Sequence, residues 1–247
     1  MKVLATYSIK GGVGKTTGAV NLAQQAAAAG ARVIVWDLDP QAAATYFLRA
    51  RARMKGGAHR LVGKKGALDD HIRATENPAI NVIAADFSLR NMDVRLDDLD
   101  HPIDRFAALL APIGDRYDVA LLDCPPSISL ASESVFGAAD ALLVPTIPTP
   151  LSTRTLLQLS NFLADWTRKP LVLPYISMID HRRKLQREYA AGLRTDWPEL
   201  LATEIPNASI IERMSTERAA VATFAPNSNA AFAFRTLWND IGDRLWC

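Results

Sequence analysis

Cysteine is nearly absent from this chain. Cys124 and Cys247 are its only two in 247 residues, and they form neither a disulfide framework nor a C-x-x-C metal pattern. Long apolar runs are missing as well. None approaches the roughly 20 residues needed to span a bilayer. The opening residues read as a strand rather than a signal peptide, so a cytoplasmic protein is expected. There is no linker or low-complexity tract, and residues 1–247 are therefore expected to form a single domain. The net charge of +2 is too small to argue for nucleic acid by itself, yet residues 49–65 carry seven Lys/Arg and no acid. That run reads either as a solvated surface or as a local basic face. What is present is an ordinary globular composition, 49% hydrophobic and 22% charged.

The most informative stretch is Lys10-Gly11-Gly12-Val13-Gly14-Lys15-Thr16-Thr17, which follows an apolar run, Val3 to Tyr7, and precedes a helix-like stretch, Thr17 to Ala29. Glycines let a backbone turn tightly and bring its N–H groups onto phosphate oxygens, and the helix that follows adds the positive end of its dipole. Lys15 supplies a point charge for the outer phosphates, and the Thr16 hydroxyl can enter the shell of a magnesium ion.

Apolar runs recur at residues 3–7, 33–36, 80–84, 119–122, 141–144, 171–176 and 200–205, mostly separated by helix-period stretches. This alternation predicts an α/β fold, a doubly wound and mostly parallel sheet with helices on both faces. Ligands of such sheets bind at the carboxyl ends of the strands. Three sequence features fall there: the glycine loop, Asp37-Leu38-Asp39-Pro40-Gln41, and Asp123-Cys124-Pro125-Pro126. Asp123 ends an apolar strand, the Walker B arrangement, where a carboxylate holds magnesium through the ion's waters. The last stretch, Ala230 to Trp246, has helical apolar spacing without a lysine-rich face, which favours packing on the core over binding lipid.

The strict phosphate-loop pattern G-x-x-x-x-G-K-[ST] requires glycine where this chain has Ile9, and it has a second lysine, Lys10, at the start of the loop. In this it resembles the deviant Walker A loop of the ParA/MinD family of partitioning and positioning ATPases. The resemblance implies a P-loop NTPase fold that binds ATP and Mg2+ and dimerises with ATP, with Lys10 reaching across to the partner's nucleotide. It further implies that Asp39, in a segment resembling the family's switch I, positions the attacking water, while the role of Asp37 is left open. Asp123 to Ser127 resembles the D-x-P-P-S switch II. Ser177 to Asp180 and Ile205 to Asn207 resemble the base-side segments, with Pro206 and Asn207 as contacts to the adenine.

Within the family, Ile9 points to the ParA-like branch. That branch implies a homodimer that binds DNA non-specifically while ATP is bound, associates with the nucleoid, and is released when a ParB-like or adaptor protein stimulates hydrolysis. The cargo would be a plasmid, a chromosome or a protein body. Candidate DNA contacts are Arg182, Arg183, Lys184, Arg187, Arg213 and Arg218. The chain departs from the chromosomal ParA pattern after the base-side proline, reading Pro206-Asn207-Ala208-Ser209-Ile210-Ile211-Glu212-Arg213 without that pattern's two arginines. Two other uses are weighed, a MinD-like membrane ATPase and a nitrogenase-reductase-like electron carrier. The non-basic terminal helix argues against the first, and the lack of an evident second cysteine ligand argues against the other.

Overall fold

The computed structural model describes residues 1–52, 56–63 and 66–246. Most of the basic run's cations, Arg53, Lys55, Lys64 and Lys65, lie outside the described residues, as does Cys247.

Eight strands form one sheet: β1 (Lys2–Thr6), β2 (Val33–Asp37), β3 (Ile72–Ala74), β4 (Ile80–Ile83), β5 (Val119–Asp123), β6 (Ala141–Thr146), β7 (Leu171–Ile179) and β8 (Glu204–Pro206). Their order is β3-β4-β2-β5-β1-β6-β7-β8, and every pairing is parallel except β3 with β4. The expected doubly wound sheet is therefore observed, with an antiparallel edge strand that the sequence reading did not include.

Helices connect the strands. In chain order they are α1 (Lys15–Ala28), α2 (Ala43–Phe47), α3 (Gly57–Val62), α4 (Met92–Asp97), α5 (Arg105–Leu110), α6 (Leu130–Ala138) and α7 (Pro150–Ala164). They continue as α8 (Lys184–Asp196), α9 (Ser209–Glu212), α10 (Met214–Glu217), α11 (Val221–Phe224) and α12 (Asn229–Leu245). Alternate strand residues feed two cores, as a period of two requires. Ile34, Trp36, Ala120 and Leu122 pack with α3 to α8, whereas Val33, Val35, Val119 and Leu121 pack with α1, α2, α10, α11 and α12. Continuing that parity places Asp37 and Asp123 on the α1 side of the sheet. Their registers pair directly across β2 and β5.

The terminal helix uses its apolar face internally: Ala230, Ala231, Phe234, Leu237 and Ile241 are buried. Among the described residues no helix is long and apolar enough to cross a membrane. Just past the end of α1, Gly30 takes a left-handed backbone at φ +92.

One strand expectation needs correction. The run from Leu200 to Ile205 is extended only over Glu204–Pro206. Leu200 folds back to hydrogen-bond the Trp197 carbonyl, and Thr203 N–H is taken by the Asp240 carboxylate at 2.9 Å instead of by a neighbouring strand. The Leu201 N–H still bonds the Pro174 carbonyl of β7 at 2.8 Å, so the segment meets the sheet before regular pairing begins at Glu204.

Candidate functional site

The chain leaves β1 at Thr6 and enters α1 at Lys15 through a loop with Gly12 at φ +71 and Gly14 at φ +98. Both values lie in the left-handed region where a side chain is disfavoured, and Gly14 has a second constraint. A Cβ there would sit 3.1 Å from Ser177 Oγ, which donates to the Val13 carbonyl at 2.8 Å. This bond ties the loop to β7 and buries the Val13 side chain beneath it.

Above the loop lies a cleft of about 450 Å³. Gly11, Gly12, Gly14, Lys15, Thr16, Thr17 and Asp39 line its phosphate side, and Ser177, Met178, Pro206 and Asn207 line the other. The structure thus brings residues from distant parts of the sequence into one cavity. It also adds several that sequence reading missed: Gln41, Ala43 and Phe47 after Asp39, and Ile211, Glu212, Met214 and Ser215 from α9 and α10. Pro126 of the Asp-Cys-Pro-Pro segment reaches the cleft as well. Asp180 does not, being held by Arg182 in the loop beyond β7.

Lys15 is buried and donates to the Lys10 carbonyl at 3.3 Å. Burial lowers its pKa, and Asp123 works against that shift. Lys10 points elsewhere. Its ammonium lies 3.4 Å from Ser152 Oγ in the first turn of α7, outside the cleft lining.

The three acids have distinct surroundings. Asp37 is fully buried and accepts from the Thr45 N–H and hydroxyl, each at 2.7 Å, and from the Asp39 N–H at 3.2 Å. Thr45 Oγ1 in turn accepts from the Ala85 N–H at 2.9 Å. Asp37 therefore ties the Asp39 loop, α2 and the segment just after β4 together. Asp39 is half-buried at the cleft and accepts from the Gln41 N–H at 2.9 Å, an Asx turn that orients the loop.

Asp123 is fully buried, and desolvation followed by the Asp37 charge pushes its carboxyl well above the ordinary range. Thr6 reaches Oδ1 at 3.3 Å, and the Thr16 hydroxyl lies near enough to oppose the shift. Oδ2 has no hydrogen-bonding partner among the described residues. A buried carboxylate oxygen left in this way, beside a threonine hydroxyl and a lysine, fits a magnesium ion held by Thr16 and Asp123 next to phosphates held by Lys15. Cys124, next in sequence, faces the opposite core and does not line the cleft, and burial pushes its thiol pKa up.

Replacing Thr45 with Val keeps its shape and removes the hydroxyl. It should cost about 2 kcal/mol, because Asp37 loses a donor and the buried Ala85 N–H loses its acceptor. A lower urea midpoint at an unchanged m value would report this.

The proposed DNA contacts do not form one row of unengaged cations. Arg182 and Arg183 flank Asp180 at 2.8 and 3.6 Å, Lys184 lies 3.6 Å from Glu188, and Arg187 donates to the His181 carbonyl. These four are exposed, and the pairings of Arg182, Arg183 and Lys184 are surface ion pairs of the kind that are weak in water. Arg213 is paired with Glu217 at 2.6 Å over the Phe224 ring, and Arg218 stacks on Tyr46.

Comparison with known proteins gives the family and the fold. A family model described as an AAA domain matches residues 1–171. The virulence plasmid ParA family protein pGP5-D of Chlamydia psittaci is 26% identical over 100% of this chain and 96% of its own length. The chromosome partitioning protein ParA of Caulobacter vibrioides is 34% identical over 59% of this chain and 55% of its own. The fold is shared with McdA of Cyanothece, solved as an ATP complex (TM-score 0.84, 22% identity, 98% of this chain and 96% of that one). It is shared also with the cell division ATPase MinD of Pyrococcus furiosus (TM-score 0.80, 21% identity, 98% and 99%). A loop with two lysines, a buried acid beside it, a family model over residues 1–171 and a plasmid ParA family relative matched end to end lead to one assignment: the chain belongs to the ParA/MinD family of P-loop partitioning and positioning ATPases.

Proposed function

We propose that this protein is a ParA-like ATPase that dimerises with ATP, binds DNA without sequence preference in that state, and lets go after hydrolysis stimulated by a partner protein. The observation that carries the reading is the direction of Lys10. Its ammonium sits by Ser152 and not in its own cleft, where Lys15 already supplies the charge, so it remains available to a second copy's phosphates. The hold on it is light, since a cation near a helix N-terminus is opposed by the dipole.

Bound ATP with Mg2+ would supply the transferable phosphoryl group and neutralise part of its charge. The chain's residues do the positioning. Gly11 to Thr17 offer N–H groups and Lys15 to the phosphates, while Thr16 and Asp123 hold the ion. Pro206 and Asn207 contact the base, and Asp39 orients the attacking water. In the dimer Lys10 acts in trans. Residues 1–247 work as one unit in this reading, because strands from both ends of the chain share one sheet.

Arg182, Arg183, Lys184 and Arg187 are the DNA contacts we favour, being exposed and on one loop and helix start. A mobility shift on random-sequence duplex is the test. Binding should require ATP and weaken steeply with salt, and each cation removed should lower the slope of log K against log salt by about 1. Binding that is equal with and without ATP, or insensitive to these substitutions, would overturn the DNA assignment.

A further inference from the structure

Two arginines have backbones that side chains rarely tolerate, Arg49 at φ +54 and Arg218 at φ +49. They meet. Arg49 Nε donates to the Arg218 carbonyl at 3.2 Å and Nη2 to the Glu217 carbonyl at 2.9 Å. Arg218 Nε donates back to the Tyr46 carbonyl at 3.2 Å, and its guanidinium lies 4.4 Å from the centre of the Tyr46 ring. The Tyr46 hydroxyl completes the pairing by donating to the Ser215 carbonyl at 3.2 Å.

Each arginine thereby caps the carboxyl end of the other's short helix. Arg49 follows α2 and serves the last carbonyls of α10, while Arg218 follows α10 and serves a carbonyl of the last turn of α2. Carbonyls at helix ends lack intrahelical partners and carry the negative end of the dipole, which a guanidinium suits. Each left-handed backbone also closes its own helix, with the Arg49 N–H on the Tyr46 carbonyl at 3.1 Å and the Arg218 N–H on the Met214 carbonyl at 2.8 Å. Arg49 Nη1 pairs with Glu76 at 3.0 Å, and the reciprocal bonds add to these local supports.

The location gives the pairing its consequence. Helix α2 stands just after Asp39 and lines the cleft through Ala43 and Phe47, and α10 lines it through Met214 and Ser215. An outer cavity of about 440 Å³, bordered by Phe47, Arg49, Glu76 and Arg218, gives the guanidinium groups room to swing without disturbing the core. We propose that Arg49 and Arg218 form a clasp that holds the base-side wall of the cleft against the segment carrying Asp39, and that its opening sets the rate of nucleotide release. They are positioning residues. The phosphate loop is untouched by them.

The inference rests on the nucleotide reading above and is tested by displacing a fluorescent ATP, bound with Mg2+, by excess unlabelled ATP in a stopped-flow instrument. Arg49→Ala and Arg218→Ala should each speed release about tenfold, and the double variant should add little, because the two bonds form one unit. Affinity for Mg-tripolyphosphate, which has no base or ribose, should stay within about twofold, a result that general damage to the fold would not give. If the alanine variants fail to fold, Arg49→Lys and Arg218→Lys keep the charge but lose the planar fork, and should accelerate release in the same direction. Unchanged release in the variants, or a matching loss of tripolyphosphate affinity, would overturn the clasp while leaving the nucleotide site standing. A wild type that binds no ATP would remove both.

Discussion

Lys15→Ala should abolish measurable ATP binding, lowering affinity by at least about 100-fold. A unit charge pair at ~4 Å is worth about 4 kcal/mol at an effective dielectric constant of ~20, and a triphosphate presents more than one charge. Part of that gain goes to keeping the ammonium buried, the cost that lowers the Lys15 pKa. The rest is enough. In the described structure this ammonium has only the Lys10 carbonyl, at 3.3 Å, as a hydrogen-bond acceptor, so it is a donor held ready in a glycine-lined cradle. Calorimetric titration with Mg-ATP checks the claim, with far-UV circular dichroism confirming that the variant is folded. Affinity within a few-fold of wild type would mean that the cleft does not grip phosphates through Lys15.

Asp39→Ala should separate binding from turnover. Hydrolysis should fall by about 100-fold or more, the usual contribution of a group that orients or deprotonates the nucleophile, while ATP affinity changes only a few-fold. The reason is geometric. Asp39 lies at the cleft edge with Oδ1 accepting from the Gln41 N–H, outside the Lys15–Thr16–Asp123 cluster to which we assign the phosphates and the ion. Asp39→Asn keeps that acceptor and removes only the charge, and it should be nearly as slow. Asp37, two residues away, is a different case. Its carboxyl is used up by Thr45 and the Asp39 N–H, so its loss should appear chiefly as instability. Phosphate release measured with and without a saturating stimulating partner distinguishes the variants. Equal turnover by wild type and Asp39→Ala would move the hydrolytic role to another residue.

Much of the fold was legible because its signals are local. Alternating strand residues face two cores, and that alternation carries Asp37 and Asp123 to the same side of the sheet as α1. Glycines at 12 and 14 announce the left-handed turn, and the apolar face of α12 announces a buried helix. The site's opposite wall was not legible in the same way. Ile211, Met214 and Ser215 reach the cleft through two single-turn helices, too short to show a period. The Asp37–Thr45–Ala85 chain depends on Ala42, which closes the turn begun at Asp39-Pro40; the sequence signals the turn but not an alanine at φ +55. Arg213 and Arg218 read as free cations in the sequence, yet one is folded onto Glu217 and the other onto Tyr46. Charge alone does not reveal a partner brought in by tertiary packing. The same limit explains the shortened eighth strand, where the Thr203 N–H is taken by a distant carboxylate, Asp240.

In the proposed switch, two copies share their nucleotides through Lys10. Sedimentation velocity of the Asp39→Ala variant in saturating Mg-ATP tests this most directly. It should show a dimer that vanishes without nucleotide and is lost or strongly weakened when Lys10→Ala is added, although the double variant still binds ATP. Single subunits in saturating Mg-ATP with turnover blocked, or a dimer indifferent to Lys10, would contradict it.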